Sequence, residues 1–79
     1  MEDRSKKRYP IRLRNIKDMM AFVNAANEID GTCEVITGRY RVDAKSLMGV
    51  LSVPISDTAM VEVEQTQDKL PASLRKYLQ

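Results

Sequence analysis

With 79 residues, 30% of them charged, the chain is long enough for one domain with one modest hydrophobic core. One cysteine and no histidine remove the disulfide and metal scaffolds that small domains often use, and four aromatics leave an aliphatic, methionine-rich core of the kind helices bury on one face of a sheet. The net charge of +2 is uneven: residues 1–17 hold seven basic and two acidic side chains, residues 18–79 six basic and nine acidic.

A basic arm, residues 1–8, opens the chain with Arg4, Lys6, Lys7 and Arg8. It reads either as a solvated tail or as a contact for an anionic partner such as nucleic acid or an acidic protein; without interleaved aromatics, and with a mildly acidic remainder, it does not single out nucleic acid. No early apolar run has the length of a secretory signal or a membrane span, so a soluble, cytoplasmic protein without a membrane partner is expected. Cys33 fits a reducing compartment and reads as a small buried apolar residue of a strand.

Residues 9–79 form the single domain. Tyr9, Ile11 and Leu13 alternate with Pro10, Arg12 and Arg14, the period of a strand with one buried face, and Pro10 places that strand at an edge. From Ile16 the period becomes helical: Ile16, Met19, Met20, Phe22, Val23, Ala26 and Ile29 gather on one side, with Lys17, Asp18, Ala21, Asn24 and Glu28 on the other. Asn15 is a favoured N-cap, Asp18 three residues later can reach back in a variant of the capping box, and Gly31 is expected to end the helix after about four turns.

Residues 32–37 and 40–44 read as two strands around a Gly38-Arg39 turn. Ser46 is then placed to cap a short helix carrying Leu47, Met48, Val50 and Leu51, weakened by Gly49 and stopped by Pro54. Residues 59–65 alternate as a fourth strand with Glu62 and Glu64 on one face, and Asp68 can cap a last helix with Pro71 in its first turn and Leu70, Leu74, Tyr77 and Leu78 as its buried side. The order βαββαβα predicts an α+β fold, an open-faced sandwich with three helices on one face of a four-stranded, mainly antiparallel sheet.

The run Val42-Asp43-Ala44-Lys45-Ser46-Leu47-Met48-Gly49-Val50-Leu51-Ser52 resembles the signature around the regulatory serine of HPr, the histidine-containing phosphocarrier of the bacterial sugar phosphotransferase system. Members of that family carry a run like Val-Asn-Ala-Lys-Ser-Ile-Met-Gly-Val-Met-Ser at this place, and they share the order of elements read over residues 9–78. Counted back from Ser46 without gaps, Asn15 falls where the family keeps its phosphorylated histidine, Lys17 where it keeps an arginine that steadies the phosphoryl group, and Asp18 where it keeps a proline. His-Ala-Arg-Pro has become Asn15-Ile16-Lys17-Asp18.

The resemblance implies a non-enzymatic protein that has lost the relay, with Asn15, Lys17 and Asp18 as a degenerate phosphohistidine site and no metal or cofactor. It implies that Ser46 is open to an HPr kinase/phosphorylase, and that the product binds a transcriptional regulator of carbon catabolite repression. A bland reading of Ser46, a cap and nothing more, stands beside this. Leu47 and Met48 occupy positions that dock partners in the family, while Leu51 is open between docking and core. Ser52-Val53-Pro54 lacks the glycine common after this helix in the family, and the basic arm has no family counterpart, so partners have room to differ.

Overall fold

The computed structural model describes residues 6–65 and 69–79, so that Arg4 of the arm and Asp68, expected to cap the last helix, lie outside the described residues. Seven elements follow in chain order: β1 Lys6–Pro10, α1 Ile16–Ala26, β2 Gly31–Thr37, β3 Tyr40–Asp43, α2 Leu47–Leu51, β4 Met60–Gln65 and α3 Ala72–Arg75. The sheet order is β1-β4-β2-β3, and all three pairings are antiparallel.

Strand alternation sets the two faces. Cys33, Val35, Thr37, Val61 and Val63 are buried and point into one core with Phe22, Val23, Ala25 and Ala26 of α1, Val50 of α2, and Leu70, Leu74 and Tyr77 around α3. Phe22 and Tyr77 meet edge to face with ring centroids 6.1 Å apart, tying α1 to the segment after α3. This is the α+β sandwich that the periodicities predict.

The other face carries charge in register. Arg8, Glu62 and Glu34 stand opposite one another across β1, β4 and β2, and Arg41 of β3 reaches over to close the set. Arg8 Nε donates to Glu62 Oε2 at 2.7 Å, while Arg41 Nη1 donates to Glu62 Oε1 at 3.0 Å and to Glu34 Oε1. Lys6 lies 4.0 Å from Glu64 one row along. Glu62 keeps only 7% of its surface exposed, which its two guanidinium partners make tolerable.

These pairs correct the amino-terminal boundary. The first strand begins at Lys6 rather than at Tyr9, so Lys6, Lys7 and Arg8 belong to the sheet; after Pro10 only Ile11 continues pairing, in an isolated bridge with Leu78. Helix α1 ends at Ala26, capped by Asn27, which shortens it to three turns, and Gly31 opens β2 instead of stopping the helix. Gly31 has φ 139, and a Cβ there would collide with the backbone carbonyl oxygen of Glu64 across the β2–β4 pair. Gly38 sits at φ 59 in the β2–β3 turn.

The buried stripe of α1 is also narrower than its apolar pattern. Ile16 and Met20 are 62% and 48% exposed, and the buried arc turns toward Ala25, with Ala21 half-buried. Among the described residues no helix is long and apolar enough to cross a membrane.

Candidate functional site

Ser46 is held from three sides. Its backbone N–H donates to the Asp43 carbonyl at 3.1 Å, the preceding Lys45 N–H donates to Asp43 Oδ1 at 2.9 Å, and its own Oγ accepts from the Gly49 amide at 3.1 Å. Ser46 is therefore the N-cap of α2, in extended backbone conformation and half-buried. The hydroxyl satisfies one of the free amides that every helix start exposes.

Lys45 and Asn27 set where this cap sits. Lys45 Nζ donates to the carbonyls of Ile29 at 2.7 Å and Gly31 at 2.8 Å, and Asn27 Nδ2 donates to the Lys45 carbonyl at 3.0 Å and to Val23 of its own helix. The end of α1 and the start of α2 are thereby strapped together. Asn27 carried a signal, since Asn is a common helix-end residue, but nothing local marks Lys45 as a strap.

Asn15 begins α1. Its Oδ1 accepts from the Asp18 amide at 2.8 Å, and Asp18 Oδ2 accepts from the Arg14 amide at 2.9 Å, one residue further back than a capping box reaches. Lys17 is exposed and forms no ion pair among the described residues. The Asp18 carboxylate satisfies the Arg14 amide just before the cap and places negative charge at the positive helix end, where an anion would otherwise be favoured.

The apolar residues near Ser46 divide. Leu47 is half-buried and packs against the core, whereas Met48 is 83% and Leu51 44% exposed; Val50 between them is fully buried. Because α1 packs on α2, exposed Ile16 and Met20 add apolar surface on the neighbouring helix. Their exposure was hidden in the sequence by their place on an apolar stripe.

Cys33 is buried in β2, and burial pushes its thiol up to about 12; Lys45 opposes that rise, and Asp43 and Glu34 add to it. Such a thiol is a poor nucleophile. Among the described residues no group of three His, Cys, Asp or Glu side chains could hold a metal ion.

Two comparisons bear on this arrangement. The sequence model of the PTS-HPr family, described as the PTS HPr component phosphorylation site, matches residues 16–76, a span that begins one residue after Asn15 and includes Ser46. The crystal structure of HPr-C-His from Thermoanaerobacter tengcongensis superposes with a TM-score of 0.65 over 91% of this chain and 88% of that one, at 20% identity, a likeness of fold. No curated protein matches the chain.

Proposed function

Because the chain belongs to the PTS HPr family, we propose that it is an HPr-type protein standing outside the histidine relay and acting through protein contacts, with Ser46 as its point of control. The observation that carries this reading is that none of the 79 residues is a histidine. Relay between proteins needs a nucleophile whose phosphorylated form stays reactive, and a neutral imidazole meets that need near pH 7. The Asn15 side chain is an amide with no comparable lone pair, and its oxygen is engaged by the Asp18 amide.

At Ser46 the chemistry is available. A kinase would join Oγ to the γ-phosphorus of ATP as the bond from that phosphorus to the β–γ bridging oxygen breaks, with ADP leaving and the hydroxyl proton passing to the kinase's base. The product would keep the amides at the start of α2 as hydrogen-bond donors. Met48 and Leu51 on the same helix, with Ile16 and Met20 on α1, supply an exposed apolar surface on which a transcriptional regulator or other protein partner would dock. Leu47, half in the core, would support that surface from beneath.

The alternative, a module bound to nucleic acid or an acidic protein through its basic arm, loses two of its four cations, since Lys6 and Arg8 face Glu64 and Glu62 within the sheet. Incubation with ATP and an HPr kinase, read by intact mass, tests the main reading. One added phosphate, lost in Ser46→Ala, is expected; no phosphate where a conventional HPr is modified would remove the switch. Incubation with phosphoenolpyruvate and the first enzyme of the relay should leave the chain unlabelled.

A further inference from the structure

The sheet divides the basic first segment into engaged and unengaged charges. Lys6 and Arg8 face carboxylates across the sheet, but Arg12 and Arg14 have no ion-pair partner among the described residues. Both line a depression of about 390 Å³ with Lys76, Tyr77, Leu78 and Gln79, on whose wall Asp18 is the acidic side chain. Two cations of one segment and a third more than sixty residues along the chain thus converge on one concave surface.

The walls are built before any ligand arrives. Arg12 N–H donates to the Tyr77 carbonyl at 2.9 Å, Gln79 N–H donates to the Pro10 carbonyl at 2.9 Å, and Gln79 Nε2 donates to the Ile11 carbonyl at 2.8 Å. Lys76 Nζ lies 5.3 Å from the centre of the Tyr77 ring, a cation–π contact that holds the ammonium beside the cavity. The carboxylate of Asp18 is turned to the Arg14 amide.

We infer that this depression is a binding site for a small phosphate monoester, held by Arg12, Arg14 and Lys76. Guanidinium groups match phosphate oxygens in pairs, and three basic side chains against one acidic side chain favour an anion. The volume exceeds what an inorganic ion needs and falls in the range of small-molecule sites. Asn15 and Lys17 do not line the cavity and Asp18 does, so the site adjoins the degenerate phosphohistidine position, sharing one residue with it, and does not depend on the Ser46 reading.

The test is an amide-resonance titration of the whole chain with inorganic phosphate, glycerol phosphate and glycerol, at a constant ionic strength of about 0.15 M so that diffuse screening is matched. Saturable shifts confined to residues 12–18 and 76–79 are expected with glycerol phosphate and none with glycerol. Arg12→Gln/Arg14→Gln should weaken binding by about tenfold or more, as loss of charge-assisted hydrogen bonds predicts, while Arg39→Gln in the hairpin turn leaves it unchanged. Equal affinity for inorganic phosphate would keep the phosphoryl site and assign it to the free anion. Shifts that rise linearly over the whole basic surface, or affinity unchanged in the double variant with its thermal unfolding intact, would overturn the inference.

Discussion

The Oδ1 atom of Asn15 accepts the amide hydrogen of Asp18 at 2.8 Å, so the first residue of the α1 cap and the carboxylate three places on lie in one hydrogen-bonded turn. Asp18 extends that cap by accepting from Arg14, and each bond removes an amide from the reach of an incoming anion. Asn15→Ala should therefore cost about 1 kcal/mol in urea unfolding, and Asp18→Ala a comparable or smaller amount. The two losses should not add, because both act on the same turn; full additivity in a double-mutant cycle would show two independent contacts.

That cap was legible in the sequence because capping is local: Asn15 and Asp18, like Ser46 and Gly49, meet within three residues. The start of β1 was not, since Lys6, Lys7 and Arg8 offer no apolar alternation, and their place in the sheet is visible only once Glu62 and Glu64 stand opposite. Ile16 and Met20 mark another limit of periodicity. It orders side chains around a helix but says nothing of how wide a groove lies beneath them, and here the groove is filled by Phe22, Val23 and the small Ala25 and Ala26. The Lys45 strap needed the fold itself, because its acceptors are fourteen and sixteen residues away.

Glu62 gives the sheet a pH dependence. Hydrogen bonds from Arg41 first and Arg8 second hold its carboxyl below the ordinary range, against the opposing pull of desolvation. A carboxyl lowered in the folded state stabilises fully above its unfolded value of about 4.3 and loses that contribution as pH falls through the folded value. Thermal unfolding should thus decline below about pH 4, and Glu62→Gln should be less stable at neutral pH with a flatter acid limb. An acid limb of unchanged slope in Glu62→Gln would place the titration elsewhere.

Gly31 and Gly38 should respond differently to alanine. At Gly31 a methyl group meets the backbone of Glu64 in the neighbouring strand, which cannot retreat without breaking the β2–β4 pairing, so a loss of about 3 kcal/mol or more is expected. At Gly38 nothing lies within 4 Å of the added carbon, leaving the left-handed backbone penalty of about 1–2 kcal/mol. Denaturant unfolding of both variants checks the order.

Cys33 should be silent in the folded protein. Burial pushes its thiol up to about 12, so little thiolate forms at pH 8, and the side chain is buried as well. Alkylation by iodoacetamide should therefore be slow in buffer and rapid in urea, at a rate that follows the unfolded fraction. Fast modification without denaturant would show local opening of β2.

Helix α2 sets fully buried and exposed apolar residues side by side along five residues. Val50 is fully buried, and Val50→Ala should cost about 2 kcal/mol through lost methyl burial and the cavity left behind. Met48 stands in solvent, so Met48→Ala should change stability by no more than about 0.5 kcal/mol while weakening any partner that docks on this face. Ser46→Ala removes the acceptor for the Gly49 amide and should cost about 1 kcal/mol, whereas Ser46→Asp keeps an acceptor and places a negative charge at the positive helix end, leaving stability near wild type. If Ser46 were a cap alone, Ser46→Ala and Ser46→Asp would bind partners alike once stability is matched. A difference between them in partner binding, with Met48→Ala abolishing it, is the outcome a switch at this position requires.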